Sequence, residues 1–553
     1  MSTHALDAPY AQETWTSAEA DILRRYFTNL DGPVFALVNL PEVVKGALFA
    51  RYSRSGKSLR RLFLDEFVGD LDVSGDHSVD ATVGLARAEQ LYERVFFEYG
   101  DDSVAQLGGV HLACEQASNL LTKVLERGRL MSYMEKSTRY VAYDTRLPSG
   151  RYRYYRSPEI LASPLGARYV GDMDRMFDAY AQLLPVLYEW FSRRHPREDG
   201  VSDFAHRQAV KAKAFDTLRG LLPSAATSNL GIYGSGQGYE ALLLRMRAHP
   251  LPEARDYADL MLTELRKVIP SWVRRVDVAD RGSAWSAYMS QNESAMSDLA
   301  EAVIGGAPAA HARLPRGTGP TVKLVDWDPD AEVKLVTAML YPYTHLSEEE
   351  LAARVSKMTG PQRREVMAKY AGDRLNRRHR PGRALERSSY RFDVVSDYGA
   401  FRDLQRHRLL TIEWQGLTPY LGYTMPEAVA AAGGAELYEE AMARSASLYE
   451  ALGEQFGSTV AAYAVTLAHR VRYSVQMNAR EAMHMLELRT TPQGHPEYRR
   501  VCQNMHDLIA KQAGHRAIAA MMGFVDHADY DDESLARLPA ERRAEARRRG
   551  QRQ

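Results

Sequence analysis

The sequence predicts an α+β protein that is mostly helical and has more than one domain. A length of 553 residues exceeds what a single hydrophobic core usually supports. Helical periodicity dominates residues 80–127, whereas short apolar runs at residues 33–39 and 321–326 are typical of strands. The glycine- and proline-containing stretch 291–319 separates two such regions and is the expected linker.

Composition and charge exclude several classes of protein. The 71 Lys and Arg residues balance 71 Asp and Glu residues, so no general affinity for nucleic acid is expected. Two cysteines, Cys114 and Cys502, exclude a disulfide framework and a cysteine-based zinc site. The first fifteen residues lack the apolar core of a signal peptide, and no apolar run is long enough to span a membrane. We expect a cytoplasmic protein without a nucleic-acid or membrane partner.

Local patterns predict the elements of the first half in order. An amphipathic helix is expected at residues 18–27, followed by a strand at residues 33–39. Two further helices are expected at residues 43–67 and 103–126. The last 23 residues, 531–553, are rich in arginine and predict a solvated helical tail rather than a nucleic-acid-binding arm.

Two glycine motifs resemble phosphate-binding loops without matching them. Gly56-Lys57-Ser58 fits the end of a P-loop, but the first glycine of that motif would fall on Arg51. The cluster Gly231–Gly238 follows no clear strand in the sequence and is expected within helices, which argues against a dinucleotide-binding loop.

The segment 127–140 carries the densest set of chemically active side chains. It holds three arginines, one glutamate and two serines within fourteen residues. Arginine forks and hydroxyl donors together suit a phosphorylated, hydroxylated ligand such as a nucleotide. The alternative is a solvated helix end that carries arginines by chance.

The spacing of this segment resembles the signature of flavin-dependent thymidylate synthases, the ThyX family. The family pattern is R-H-R-x-x-S-x-N-E-x-S-x-R-Y, and residues 127–140 read R-G-R-x-x-S-x-M-E-x-S-x-R-Y. A second copy begins about 280 residues later at Arg406-His407-Arg408. Further family motifs surround it, with Glu386 upstream and the segment 478–489 downstream.

The resemblance implies two tandem ThyX-like domains, each with a small sheet. It covers most of residues 33–290 and 320–515, with the motifs in the same order in both. The two domains are then residues 33–290 and 320–528, joined by a linker at residues 291–319. An N-terminal extension (residues 1–32) precedes them and a charged tail (residues 529–553) follows.

The two halves resemble different sides of the family's active site. The first half keeps residues that in the family hold the nucleotide: Glu135, Ser137, Thr138, Arg139 and Arg219, with Arg245 as a further candidate. The second half keeps residues that in the family hold the flavin: Arg406, His407, Arg408, Glu386, Asn478, Arg480 and His484. Arg489 matches the arginine that contacts the pyrimidine ring, and the resemblance implies catalytic roles for Arg489, Glu135 and Ser137.

This division favours a composite site that needs one copy of each half. A homodimer of the chain would then imitate the family tetramer. The alternative is decay of a duplicated enzyme without a composite site, but random loss would not sort residues by ligand.

The resemblance implies C5-methylation of dUMP to dTMP. Methylenetetrahydrofolate would give the carbon, and FAD and NADPH would serve the reduction. Neither cysteine lies in a motif, so a thiolate nucleophile is not expected. No metal is expected either, because no metal-ligand spacing accompanies His407 or His484.

Two departures from the family pattern leave other functions open. Asp403 stands where the family has glutamine, and Met134 stands where it has asparagine. Both positions touch the family's nucleotide pocket. A one-carbon transfer to a different pyrimidine nucleotide is therefore one alternative. A non-catalytic protein that binds flavin or nucleotide is another.

Overall fold

The fold is taken from a computed structural model of this chain. It describes residues 10–40, 44–45, 48–49, 52, 55–66, 109–139, 141–305, 319–529 and 535–550. Within these ranges no helix combines the length and apolar character needed to cross a membrane.

In the part of the first half that the structure describes there are four strands and a series of helices. The strands are β1 (Val34–Leu37), β2 (Gly109–Ser118), β3 (Met131–Glu135) and β4 (Thr227–Ser235). The helices are α1 (Ser17–Leu23), α2 (Leu59–Glu66), α3 (Asn119–Leu125), α4 (Pro158–Leu161), α5 (Gly166–Arg194), α6 (Asp203–Leu218), α7 (Gly236–Ala248), α8 (Pro252–Arg266) and α9 (Gly282–Ile304). The predicted first helix and first strand are thus confirmed.

The second half repeats this order of strands. They are β5 (Thr321–Trp327), β6 (Ser389–Asp397), β7 (Thr411–Trp414) and β8 (Arg470–Asn478). The helices are α10 (Ala331–Leu340), α11 (Glu348–Ser356), α12 (Gly360–Ala371), α13 (Tyr398–Leu404), α14 (Glu427–Ala431), α15 (Ala435–Phe456), α16 (Ser458–Ala461), α17 (Ala479–Arg489), α18 (Pro496–Lys511), α19 (Arg516–Met521) and α20 (Leu538–Gly550).

The two sheets have the same topology. Each is four-stranded and antiparallel, with the order β1-β2-β4-β3 in the first half and β5-β6-β8-β7 in the second. In both, the longest pairing joins the two central strands. This confirms the α+β class with a small sheet in each half, as expected for an internal duplication.

The compact units exchange segments between the halves. Unit 1 consists of Met1–Ala181, Leu222–His311 and Ala443–Val465. Unit 2 consists of Gln182–Leu221, Ala312–Met442 and Thr466–Gln553. A segment of the first half therefore belongs to the unit that contains the second sheet. The predicted boundaries divide the chain into sequence repeats, whereas each compact unit contains segments from both repeats. The predicted boundaries therefore stay a prediction.

Strand β2 corrects the helix predicted over residues 103–126. Residues 109–118 are extended and Asn119–Leu125 is helical, whereas residues 103–108 lie outside the described part of the chain. Side chains on both faces of β2 are buried, including Leu112, Ala113 and Cys114. A strand buried on both faces loses the alternation that would identify it in a sequence.

The glycine cluster Gly231–Gly238 corrects a second prediction, since it lies in β4 and the start of α7 rather than within helices. The glycines provide room for neighbouring side chains. A Cβ atom at Gly231 would come within 2.3 Å of the Phe49 ring, and one at Gly234 within 2.4 Å of Met131. The sheet is antiparallel, so this is not a Rossmann loop.

Two outer segments, the start of the predicted linker and the charged tail, are helical. The first part of the predicted linker is helical, because α9 continues to Ile304. In unit 2 the charged tail forms α20 and contacts α6, where the Ser202 hydroxyl bonds to Glu545 at the margin of the helix pair. The helix predicted for the tail is therefore confirmed over Leu538–Gly550.

Candidate functional site

The second arginine-histidine-arginine copy lies in unit 2 on the turn between α13 and β7. Asp397 starts α13 by accepting a hydrogen bond from the Ala400 amide at 2.5 Å. The helix ends before the turn, which buries His407 and exposes Arg406 and Arg408. Two cations therefore face solvent on either side of a buried imidazole.

Helix α17 brings a second set of side chains to that imidazole. Asn478 caps the helix by accepting from the Glu481 amide at 2.9 Å. Side chains three to four residues apart share a helix face, so Glu481 and His484 point the same way. Arg489 is the last residue of the helix.

Both ring nitrogens of His407 are engaged in hydrogen bonds. Nδ1 lies 2.9 Å from Glu481 Oε1, and Nε2 accepts from Arg489 Nε at 3.0 Å. Because Nε2 is the acceptor, the neutral ring carries its proton on Nδ1 and donates it to the carboxylate. Burial, reinforced by the nearby Arg489 and Arg380, lowers the pKa of His407 well below its usual range. Glu481 thus holds His407, which in turn holds Arg489.

An arginine from the first half completes this group. Arg219 follows α6 in the segment that belongs to unit 2, and its Nη1 donates to Asp403 Oδ2 at 3.0 Å. The other Asp403 oxygen lies 4.0 Å from Arg489 Nη1. Exposure of the Arg219 side chain is 6%, and its Nη2 has no hydrogen-bond partner among the described residues. A buried, unsatisfied guanidinium nitrogen is costly and marks a place for an acceptor.

Two buried acids adjoin Arg219 and Arg470. Burial raises the pKa of both Asp397 and Glu497, and a neighbouring carboxylate adds to the effect at each, Asp403 at Asp397 and Asp397 at Glu497. Arg219 opposes the shift at Asp397. The pair therefore tends to retain a proton, which leaves more of the positive charge of Arg219 uncompensated.

The other predicted flavin-side residues form ion pairs in the same unit. Glu386 lies in a 3₁₀ turn and pairs with Arg383 at 3.1 Å and with Arg480 at 3.2 Å. Arg480 also donates to the carbonyl of Pro381. These pairs place a cationic side chain on the first turn of α17, close in sequence to the Asn478 cap.

The cluster of His407, Glu481 and His484 brings three potential metal ligands within 4.8 Å of one another. Its surroundings are cationic, however. Arg489 donates to His407, and Arg380 Nη2 lies 3.1 Å from His484 Nδ1. With both lone pairs directed at guanidinium groups, the cluster is a hydrogen-bond network rather than a metal centre.

The predicted nucleotide-side residues of the signature segment lie in unit 1. Glu135 ends β3 and is buried, and its Oε2 lies 3.6 Å from Lys123 Nζ. Lys123 also pairs with Glu126 inside the unit. Ser137 accepts from the backbone amide of Arg139 at 3.2 Å, which is a local turn contact. The carboxylate of Glu135 thus has a buried counter-ion.

Two further predicted residues of unit 1 are Thr138 and Arg245. Thr138 is buried. Arg245 lies on α7, where a Cβ atom at Gly128 would come within 3.2 Å of its Nη2 and within 2.6 Å of the Tyr133 hydroxyl. Burial lowers the pKa of Arg245. The glycine that replaces histidine in the first copy therefore leaves room for Tyr133 and Arg245.

The structure brings together Arg219, His407 and Arg489, and it assigns Glu135, Ser137 and Arg139 to the other unit. Sequence reasoning missed Glu481 as a site residue. The sequence does show an acidic residue three positions after a helix-capping residue. That pattern usually indicates only a contribution to the helix cap, so it did not identify Glu481 as a site residue.

The family model described as thymidylate synthase complementing protein (Thy1) matches residues 61–271 and 323–514 of this chain. The chain is 37% identical over 535 residues to a UPF0159 protein of Chlamydia muridarum, covering 96% of this chain and 99% of that protein. It is 38% identical to a UPF0159 protein of Chlamydia pneumoniae, covering 97% and 99%. A UPF0159 protein of Thermoplasma acidophilum, Ta1429, is 31% identical, covering 90% and 97%.

Two solved structures of the UMP/dUMP methylase PolB from Streptomyces cacaoi also match. The one bound with 5-Br dUMP is 19% identical and covers 37% of this chain and 97% of its own, with a TM-score of 0.30. The one bound with 5-Br UMP is 20% identical and covers 39% and 99%, also with a TM-score of 0.30.

Proposed function

The chain belongs to the thymidylate synthase complementing protein family, and from this premise we propose that it methylates dUMP at C5 to give dTMP. The methylene carbon of methylenetetrahydrofolate is one two-electron step more oxidised than a methyl group. The reaction therefore needs a hydride equivalent, which NADPH supplies. The two folate nitrogens freed from the methylene carbon take up two protons, equivalent to the one lost from C5 and one from solvent, which gives tetrahydrofolate and NADP⁺.

The observation that carries this proposal is the meeting of Arg219 with Arg489 in unit 2. Arg219 comes from the first half, and Arg489 and His407 come from the second. Each arginine faces a different oxygen of Asp403, at 3.0 and 4.0 Å. Residues from the two repeats thus form one cationic group, as a composite site requires.

Arg219 would hold the nucleotide phosphate. Its Nη2 is buried and lacks a hydrogen-bond partner in the described structure. A bound phosphate oxygen would satisfy this nitrogen, and charge-assisted hydrogen bonds to guanidinium are among the strong ones.

Arg489 would contact the pyrimidine ring. Negative charge builds on the base as C5 becomes nucleophilic, and a cation fixed beforehand stabilises that charge without reorganising. Glu481 and His407 fix the guanidinium through the 2.9 and 3.0 Å hydrogen bonds. His407 is therefore a positioning residue in this scheme, because both of its nitrogens are occupied.

The residues around the turn fit a flavin with phosphate groups. Arg406 and Arg408 are exposed cations, and Arg480 adds a third beside Glu386. These donors, with Asn478 and His484, would hold the phosphates and polar ring edge of FAD. When bound, FAD relays the hydride between NADPH and the methylene carbon.

The nucleotide-side residues of unit 1 keep their proposed roles. Arg139 and Ser137 would bind phosphate, and Glu135 and Thr138 would hydrogen-bond the sugar. Arg245 would be a further cation on that side. We further propose a cytoplasmic homodimer, which would bring two composite sites together as the family tetramer does.

Asp403 favours a second candidate function. Its carboxylate already neutralises part of the charge on Arg219 and Arg489. An acidic group at this position suits a ligand with an additional hydroxyl, so the substrate could be another pyrimidine nucleotide such as UMP. A protein that binds flavin and nucleotide without turnover is the non-catalytic alternative.

An anaerobic turnover assay tests the proposal. Purified protein is incubated with FAD, NADPH, methylenetetrahydrofolate and either dUMP or UMP, and the nucleotides are separated by mass. A product 14 Da heavier than dUMP, absent without the folate and lost in Arg489→Ala at about the same flavin content, would support it. A methylated product from UMP alone would favour the alternative substrate. Bound flavin and nucleotide with neither product would refute catalysis.

A further inference from the structure

We propose that His506, Asp507 and His527 bind a divalent first-row transition-metal ion such as Zn²⁺. The ion would fasten the segment that follows α19 to helix α18. The three side chains lie in unit 2, and their potential ligand atoms are within 4.8 Å of one another. This site is separate from the residues assigned to nucleotide and flavin, and its existence does not depend on the proposed reaction.

The spacing of the two histidines suits a shared ion. His506 Nδ1 lies 2.9 Å from His527 Nε2. Nitrogen ligands of a tetrahedral Zn²⁺ at about 2.0–2.1 Å are themselves about 3.3 Å apart. A small rotation of the exposed His527 ring would therefore seat both nitrogens on one ion.

The orientation of His506 is set by a contact on its far side. Its Nε2 lies 3.1 Å from the carbonyl oxygen of Ala519. A carbonyl can only accept, so Nε2 carries the proton and the lone pair of Nδ1 is directed toward His527. Histidine ligands are commonly fixed in this way, through a hydrogen bond from the second nitrogen to a carbonyl.

Asp507 supplies an oxygen ligand at a small cost. Its carboxylate pairs with Lys511 at 2.9 Å, one helical turn away on the surface of α18. Exposed pairs of this kind contribute little to stability, so Lys511 does not prevent the carboxylate from turning to a dication. Two imidazoles and one carboxylate suit Zn²⁺ and related ions.

The ion would stabilise a segment that packs on the end of α17. In that segment the Asp526 amide donates to Thr490 Oγ1 at 3.0 Å, and the Phe524 amide lies 3.4 Å from Glu487 Oε1. Arg499 Nη2 also donates to the carbonyl of Ala528. Arg489 lies between the two contacted helix residues, so a metal here would restrain the helix end that carries it.

Metal titration tests the proposal directly. Chelator-treated full-length protein is titrated with Zn²⁺ by calorimetry and with Co²⁺ by visible absorption. We expect micromolar or tighter binding and the intense d–d bands of a low-coordinate Co²⁺ site. His527→Ala removes an exposed side chain and should weaken binding at least roughly 100-fold. His345→Ala, which removes an exposed histidine elsewhere in unit 2, is the matched control and should change nothing.

Hydrogen exchange provides a second readout. With Zn²⁺, amides of residues 522–529 should exchange more slowly in the wild-type protein and at the same rate as without metal in His527→Ala. Undetectable binding, or equal binding by wild type and His527→Ala, would overturn the proposal. So would loss of binding in His484→Ala instead, because that result would move the ion to the network around His407. None of these measurements requires nucleotide or turnover, so they remain informative if the proposed reaction is absent.

Discussion

Arg219 and Asp403 offer the sharpest test of the composite site. In Arg219→Ala the buried guanidinium is removed while Asp403 stays, with an exposure of 17% and Arg489 4.0 Å away. Loss of a hydrogen bond between charged groups costs about 1.5–3 kcal/mol. Nucleotide binding should therefore weaken roughly 10- to 150-fold. Flavin content should stay unchanged, because the flavin-side residues lie on other elements.

Asp403→Asn should have the opposite effect. A phosphate oxygen bound to Arg219 would lie about 5 Å from the Asp403 carboxylate, where like charges repel by about 3 kcal/mol at an effective dielectric constant of about 20. Solvent and the remaining hydrogen bond reduce this figure, so we expect several-fold tighter nucleotide binding. In Arg219→Ala, adding Asp403→Asn should recover part of the lost affinity, since it removes a carboxylate left without its nearest cation.

Calorimetric titration with dUMP and UMP at fixed salt measures these affinities, and thermal unfolding checks the fold of each variant. Arg207→Ala is a suitable control, because it removes an exposed arginine from the same helix, α6. The reasoning is wrong if Arg219→Ala binds nucleotide normally. It is also wrong if Asp403→Asn binds dUMP more weakly, since Asp403 would then contact the nucleotide instead of competing with it.

Three further predictions concern the positioning of Arg489, the division of the site between ligands, and the pH dependence of stability. Glu481→Ala should reduce turnover roughly 10- to 150-fold, because it frees His407 and hence Arg489. Glu481→Gln keeps an acceptor for His407 Nδ1 and should reduce turnover much less. Equal reductions in the two variants would contradict a positioning role. Arg406→Ala should lower flavin affinity and spare nucleotide binding, and Arg139→Ala should do the reverse; the divided site is wrong if both variants lose both ligands. Burial raises the pKa of Glu253 to about 7, so this group favours folding at low pH and its contribution is lost as pH rises from about 4.5 through 7. Glu253→Gln should therefore flatten the pH dependence of the melting temperature over that range, and an unchanged profile would refute the assignment.

The buried cysteines agree with a mechanism without a thiolate. Cys114 and Cys502 are both free and buried, and burial raises the pKa of the Cys502 thiol to about 12. Burial also raises the pKa of Cys114 well above its usual range. A thiol that stays protonated in an apolar interior is a poor nucleophile.

The sequence by itself determined the class of fold and the family. Length, helical periodicity and two short apolar runs predicted an α+β protein, and the ordered motifs of both halves predicted a duplication. Those signals are local, because residue spacing and turn chemistry are written along the chain. The strand Gly109–Ser118 was not predicted, because burial on both faces removes the alternation of apolar and polar residues that marks a strand.

Only the tertiary structure decided which residues meet. The sequence placed Arg219 in the first half with the nucleotide-side residues, yet the structure assigns it to unit 2 beside Asp403. Likewise, Glu481 followed a helix cap in the sequence and proved to be the hydrogen-bond partner of His407, 74 positions away. Such contacts depend on how segments that are distant in sequence pack against each other. Close packing requires complementary surfaces, and this complementarity is not visible in any local sequence pattern.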